Sequence, residues 1–280
     1  MIQFVTGAGR TMASFRYRVE CVQEALLMQG HEVKVAPTLD LSAKQAIFSK
    51  HFNPVDYSDA IAAKALGCRV VFDVCDDHRN TKFADHYDRM IRVADCVTAN
   101  SDEMASRIWD TWHKRAHVIP DPMIYEPIDR VPDLTKTLWF GATWTLDDTL
   151  YKHIGTVSGD LEICTGPTDG ISRPNTTFTL FSPEEQQKAF RRNGIAFIPY
   201  ADSDEALAKS ANRIIEALNA SMVVVTNGIP AAKELMPFVE LHHRDVGPHS
   251  VRKMEQGRQF VRQRYSVKQI VKLWKKALDL

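Results

Sequence analysis

Cysteine is sparse and badly placed for structural bonding. The five residues (Cys21, Cys68, Cys75, Cys96, Cys164) are an odd number, and no two form a Cys-x-x-Cys pair. That argues against a disulfide framework and a structural zinc site, and it makes a reducing, cytoplasmic compartment the expectation. Long hydrophobic runs are missing too. No stretch reaches the roughly 18 apolar residues of a membrane span, so none is expected. The first residues, Met1-Ile2-Gln3-Phe4-Val5-Thr6, lack the basic segment and apolar core of a secretory signal. Charge of one sign is absent: 35 Lys and Arg face 35 Asp and Glu. This excludes a basic nucleic-acid coat, though not a local basic patch. What is present is apolar material, 44% of the chain, which is enough to exclude disorder as the main state. A length of 280 residues suggests about two domains.

Short apolar runs alternate with amphipathic segments of helical length. Ile2–Thr6 reads as a buried strand. Tyr17–Gln29 reads as a helix, with Val19, Val22 and Leu26 on one face and Gly30 as its stop. Strands follow at Val33–Ala36, Ala46–Ser49, Arg69–Val74, Cys96–Ala99 and Val118-Ile119. Helices are predicted at Val55–Leu66, Phe83–Ala94 and from the cap Ser101 to about His113. Pro120, Pro122, Pro127 and Pro132 then fall together, and Asp121–Asp133 reads as a linker, because proline lacks the amide donor that sheets and helix interiors need.

The alternation restarts with strands at Leu138–Gly141, Leu161–Cys164, Thr176–Leu180, Ile195–Ile198 and Met222–Thr226. Helices are predicted at Glu184–Arg192 (capped by Ser182), Lys209–Asn219, His249–Arg262 and Val267–Ala277. Repeated β-α-β units imply parallel sheets covered by helices on both faces. The fold class is therefore α/β, with two doubly wound, Rossmann-like parallel-sheet domains facing each other across a cleft. The expected division is residues 1–120, a linker at 121–135, a second domain at 136–264, and a C-terminal helix at 265–280 packing back on the first domain.

Ligands bind such sheets at the carboxyl ends of the strands, and four segments fall there. Gly7-Ala8-Gly9-Arg10 follows the first strand. Met12 stands where a third glycine would complete a dinucleotide fingerprint, so that fingerprint is weak and a flexible strand-to-helix loop is the favoured reading. Arg10, Arg16 and Arg18 suit a phosphate or an anionic acceptor, or a solvated helix start. Asp76-Asp77-His78 ends the strongest strand. Coupled carboxylates and an imidazole can bring one another's pKa into the range of acid–base chemistry. The same residues also suit a turn, and the spacing defines no metal site.

On Lys209–Leu218, helical periodicity sets Ala211, Ile214, Ile215 and Leu218 against Lys209, Asn212, Arg213 and Glu216. Lys209 and Ser210 at a helix start would favour an anion, and Glu216, two turns deeper, would suit ribose hydroxyls. A solvated charged face is the alternative. The fourth segment, Gly141-Ala142-Thr143-Trp144, offers a glycine for close backbone approach, and Trp144 as a stacking platform or a cover for the sheet.

These residues resemble nucleotide-sugar glycosyltransferases of the two-Rossmann (GT-B) type, near the large bacterial and viral family that includes sucrose and mannosyl transferases. The matching segments are Arg16-Tyr17-Arg18; Gly30-His31-Glu32-Val33; Ala94 to Ser101; Val118-Ile119-Pro120-Asp121; Trp139-Phe140-Gly141; Ile198-Pro199; Lys209-Ser210 through Asn212-Arg213 to Glu216-Ala217-Leu218; and Tyr265-Ser266. The resemblance implies metal-independent transfer of a hexosyl or pentosyl group from a UDP- or GDP-sugar co-substrate, with no further cofactor. Lys209, Ser210 and Asn212 or Arg213 would hold the diphosphate, Glu216 the ribose, and Gly141 and Thr143 the donor pocket. Asp76, Asp77 and His78 would face the transferred sugar or acceptor hydroxyl, and Arg10, Arg16 and Arg18 the acceptor.

The commoner pattern has two glutamates separated by seven residues, and here Ala208 occupies the first position. The sugar contact and the retaining or inverting outcome therefore stay open. So does the acceptor: a glycan, a lipid-linked sugar, or phage DNA carrying hydroxymethylated bases. A non-catalytic nucleotide-sugar-binding module and a sugar-nucleotide epimerase are the alternative functions.

Overall fold

Two parallel sheets organise the chain. The computed structural model describes residues 1–167 and 174–280. The chain forms two compact units. The first is Met1–Ile124 with Leu207–Ser210 and Tyr265–Leu280; the second is Tyr125–Ala206 with Ala211–Arg264. Leu207–Ser210, expected in the second domain, thus packs in the first unit, where Ala208 is fully buried in the core.

The first unit holds strands β1 (Ile2–Val5), β2 (Val33–Ala36), β3 (Gln45–Ser49), β4 (Arg69–Val74), β5 (Cys96–Ala99) and β6 (Ala116–Val118), in the order β2-β1-β3-β4-β5-β6. All neighbours are parallel. The last strand lies slightly earlier than Val118-Ile119, and the Ile119 amide still closes its ladder by donating to the Ala99 carbonyl at 2.8 Å. The central strands are buried on both faces, which is why they read as continuous Val, Ile and Phe runs. Helices α1 (Cys21–Met28), α2 (Asp56–Ala65), α3 (Ala84–Val93) and α4 (Asp102–Trp112) connect them. Ser101 caps α4 by accepting from the Met104 amide at 3.2 Å. Ahead of α1 the backbone passes through Ala13–Phe15 and a wider π turn, Arg16–Glu20.

The second unit holds β7 (Lys136–Phe140), β8 (Asp160–Thr165), β9 (Thr176–Leu180), β10 (Ile195–Phe197) and β11 (Val223–Val225), in the order β11-β10-β7-β8-β9, again all parallel. Its helices include α5 (Pro183–Arg192), capped by Ser182 through the Glu185 amide, α6 (Asn212–Asn219) and α7 (Pro248–Arg264). The helix expected from Lys209 begins only at Asn212. Helix α8 (Val267–Ala277) belongs to the first unit and packs on α1.

The division between the two units falls within the proline-rich segment, at Ile124-Tyr125, and the later part of the segment is anchored. Within the second unit, Arg130 donates to the carbonyls of Phe190 and Arg191 at 2.8 Å each and to that of Asn193. The Ile128 amide donates to the Asn219 carbonyl at 3.3 Å. A segment without ladder hydrogen bonds is held instead by these side-chain and main-chain anchors.

Candidate functional site

Strand order decides where each unit can bind. In the first sheet the chain leaves β1 toward β2, then returns to β3 on the other side. The crevice between the carboxyl ends of β1 and β3 is the topological switch point, where parallel α/β sheets open to ligands. The residues leaving those ends are Gly7 after β1 and Ser49-Lys50-His51 after β3.

His51 stands at this crevice. Its Nδ1 is 2.7 Å from Asp56 Oδ1, and both side chains are buried. Asp56 Oδ2 accepts from the Asn53 amide at 3.1 Å and lies 3.6 Å from His86 Nε2. A carboxylate can only accept, so Nδ1 of His51 carries a proton, and in the neutral ring Nε2 is the nitrogen that presents a lone pair. The Nε2 edge faces Gly7: a Cβ built there would sit 3.4 Å from Cδ2 and 4.0 Å from Nε2. Gly7 therefore brings backbone against the ring with no side chain between. Burial lowers the pKa of His86 against the pull of Asp56. None of His51, Asp56 and His86 stood out in the sequence, because they lie on two different helices and a loop with no recognisable spacing.

Beside this dyad, β4 ends in the cluster Asp73 to His78. Parallel register places Ser49 opposite Asp73 and Asp73 opposite Thr98. Side chains in register share a face, so the Asp73 carboxylate accepts from Ser49 Oγ at 2.8 Å and Thr98 Oγ1 at 2.6 Å. It also takes Arg18 Nη2 at 2.5 Å. Arg18 reaches on to the Ile119 carbonyl and to Asp121 Oδ1 at 3.3 Å, with its guanidinium 5.1 Å from the Trp274 ring centroid. Burial alone would lower the Arg18 pKa, but Asp73 and Asp121 outweigh it and hold the pKa raised.

The arginines expected to form an acceptor surface are therefore divided. Arg18 is 1% exposed and is a core ion-pair residue. Arg16 is buried and props the Gly7 loop by donating to the Arg10 carbonyl at 2.7 Å. Only Arg10 is exposed, paired with Glu20. An arginine on a β-α segment looks alike in sequence whether it faces solvent or a buried carboxylate contributed by a distant strand.

The acidic pair is divided in the same way. Asp76 lies between the ammonium groups of Lys50 and Lys209, the latter at 2.7 Å. Burial raises its pKa, but the two lysines overcome this and hold it at about 2. Asp77 accepts from Arg79 Nη2 at 2.8 Å and Arg107 Nη1 at 2.7 Å, and it too is held at about 2 against the effect of burial. The carboxylates are not tuned toward neutrality. Both stay ionised, Asp76 as a lysine anchor and Asp77 as a loop anchor. His78 packs edge-on against Phe52, Phe83 and Tyr87 at 5.1–5.3 Å between ring centroids. Lys50 is a further member the sequence did not single out. Its φ of +49° places a non-glycine residue in the left-handed region at a strand end, a conformation common at ligand sites. Ser210 Oγ donates to Asp121 Oδ2 at 2.6 Å, so Lys209 and Ser210 each bind a carboxylate of the first unit.

In the second sheet the chain goes from β7 to β8 and β9, then returns to β10 on the other side of β7. The switch point lies between β7 and β10. Gly141 follows β7, and a Cβ on it would meet Trp139 Cη2 at 2.9 Å and Arg213 Nη1 at 3.2 Å. Arg213 donates to the Phe140 carbonyl at 3.3 Å, with its guanidinium 4.8 Å from the Tyr200 ring centroid. Asn227 clamps Tyr200 by accepting from its amide at 2.8 Å and donating to its carbonyl at 2.9 Å. A recess of about 270 Å³ opens there, lined by Lys152, His153, Tyr200, Ala201, Asp202 and Asn227 among others. Thr143 Oγ1 sits 3.4 Å from Thr165 Oγ1. Trp144 is 82% exposed and covers nothing. On α6, Asn212 and Arg213 are half-buried but Glu216 is 1% exposed, so the expected polar face is only partly open.

Among the described residues, no group of three His, Cys, Asp or Glu side chains comes together as a metal site.

No protein-family model matches the chain, and no curated protein matches it in sequence. Solved structures do. AviGT4, a glycosyltransferase involved in avilamycin A biosynthesis, superposes with a TM-score of 0.64 at 14% identity, covering 99% of this chain and 96% of that one. TarM gives 0.63 at 9% identity over 93% of this chain, which spans only 58% of the length of TarM. A UDP-forming α,α-trehalose-phosphate synthase from Burkholderia xenovorans, in complex with glucose-6-phosphate, gives 0.55 at 10%, covering 93% and 76%. Likeness at these identities defines architecture. The chain has the two-Rossmann GT-B fold.

Proposed function

We propose that this chain is a glycosyltransferase that moves a sugar from a nucleoside-diphosphate sugar to an acceptor hydroxyl. The fold supports the class. The observation that carries the reading is the His51–Asp56 dyad at the switch point of the first sheet, with Nε2 turned toward Gly7. In this reading the acceptor hydroxyl gives its proton to His51 Nε2 as its oxygen bonds to the anomeric carbon. The bond from that carbon to the diphosphate breaks, and its electron pair leaves with the nucleotide. Asp56 stabilises the imidazolium that forms.

The Gly141 loop, Thr143 and the half-buried Asn212 and Arg213 take the donor, with Arg213 on the diphosphate and Glu216 on the ribose. Lys209 keeps a diphosphate role, its ammonium held by Asp76. Ser210 acts through Asp121. Cationic side chains are suited to stabilise a leaving diphosphate without a metal. UDP is the first base to test, since the Burkholderia neighbour is UDP-forming. Asp76, with its fixed charge, faces sugar hydroxyls as an acceptor, and Asp77 and His78 support the loop. Arg10, exposed and paired with Glu20, is the one of the three arginines placed for an anionic acceptor.

The test is a panel of UDP-, GDP-, ADP- and CDP-sugars read by thermal shift and by product analysis. One nucleotide should raise the melting temperature, and Arg213→Ala should remove that rise. Transfer or hydrolysis of the donor sugar supports the reading. Binding without turnover supports a non-catalytic module, conversion of the donor sugar alone supports an epimerase, and no shift with any nucleotide overturns the reading.

A further inference from the structure

Helix α8 carries Lys268, Lys272, Lys275 and Lys276 and no acidic residue. At 100° per residue these four span an arc of about 100°. The opposite face, Ile270, Val271, Trp274 and Ala277, is buried in the first unit, so the helix is fixed and the lysines point outward from a rigid base. Lys268, Lys272 and Lys276 are exposed. Lys272 donates to the neutral Gln269 and Lys275 to the neutral Gln29, both at 3.2 Å. Asp279, two residues past the helix, is held by Arg69 at 2.7 Å. Among the described residues none of the four lysines pairs with a carboxylate. In a chain of zero formal net charge this is a concentration of uncompensated cations.

The lysines surround a depression of about 620 Å³ that Gln29 and Leu280 complete. Beside it, the last turn of α1 leaves Met28 82% and Leu27 47% exposed, and Leu280 is 42% exposed. Cations mixed with exposed aliphatic side chains match a leaflet of anionic lipid, which offers negative potential and an apolar layer beneath. A nucleic-acid surface would call for arginine forks and stacking aromatics, and the depression is lined by neither. No helix is long and apolar enough to cross a membrane, so the contact is peripheral.

We infer that the α8 face, with the end of α1, docks on an anionic lipid surface. The lysines supply electrostatic attraction, and Met28 and Leu27 reach into the interfacial layer. This rests on charge and exposure in the first unit alone and is independent of the donor reading.

Co-sedimentation of the full chain with phosphatidylcholine vesicles, with and without phosphatidylglycerol, tests it. Binding is expected only with the anionic lipid and should fall steeply between 0.05 and ~0.5 M salt. The double variant Lys272→Glu/Lys276→Glu should bind at least about tenfold more weakly, and Met28→Asp several-fold more weakly. Both should melt within a degree or two of the parent, since the altered side chains lie at the surface. Equal binding to neutral vesicles, undiminished binding of the double variant, or tighter binding to double-stranded DNA than to the anionic vesicles at the same salt would each overturn the inference.

Discussion

His51 Nδ1 and Asp56 Oδ1 lie 2.7 Å apart, and the far edge of the same imidazole faces the Gly7 backbone. A buried carboxylate on one ring nitrogen fixes the tautomer and frees the other nitrogen to take a proton. His51→Ala should lower turnover by about 10²–10⁴-fold while leaving the nucleotide-induced thermal shift intact. Asp56→Asn should lower turnover and move the acidic limb of its pH profile. If His51→Ala retains full turnover with a competent donor and acceptor, the dyad is structural.

His78 supplies the contrast. It is packed among Phe52, Phe83 and Tyr87, so His78→Ala should cost stability, about 1–2 kcal/mol. Turnover measured below the melting transition should change far less than in His51→Ala. A larger turnover loss for His78→Ala would return the acid–base role to the acidic cluster.

Asp76 and Asp77 set a pH window. Each is held at about 2 in the folded protein against an ordinary value of 3.8. A depressed carboxyl stabilises the fold above its unfolded pKa, and that stabilisation is lost as pH falls through the folded one. Stability should therefore drop between about pH 4 and pH 2, by ~2 kcal/mol for Asp77. Urea midpoints across this range should fall less steeply in Asp77→Asn than in the parent.

Arg18 joins Asp73 and Asp121 with all three side chains buried. Arg18→Met should destabilise by about 3–5 kcal/mol, because two carboxylates lose their counter-charge. Arg18→Lys should recover little, since an ammonium cannot reproduce the fork on Asp73 or the stacking on Trp274. Chemical denaturation measures both.

Gly141→Ala tests the donor side. The added methyl would press on Trp139 at 2.9 Å and on Arg213 at 3.2 Å. A stability loss of roughly 1–3 kcal/mol is expected, with loss of nucleotide binding as Arg213 is displaced. Trp144→Ala, at an 82% exposed side chain, should leave stability within ~0.5 kcal/mol. If it weakens nucleotide binding, Trp144 is a stacking platform.

The sequence by itself determined the alternation of strands and helices and the two parallel sheets. Burial on both faces writes itself as unbroken runs such as Val70-Val71-Phe72, and caps such as Ser101 and Ser182 mark helix starts by a local hydrogen bond. It also pointed to the ends of β1, β4 and β7, because loop chemistry there is compact and local. Only the tertiary structure decided what those residues do. Arg18 is a surface cation or a core ion pair depending on Asp73, which lies 55 residues away in the chain. Asp76 and Asp77 are acid–base groups or anchors depending on Lys50, Lys209 and Arg107. His51 has its partner Asp56 only five residues on, but its far edge meets Gly7 only when β3 is laid beside β1. Electrostatic roles depend on distance in space, and the periodicity of a chain records which side a residue faces without recording what it meets there.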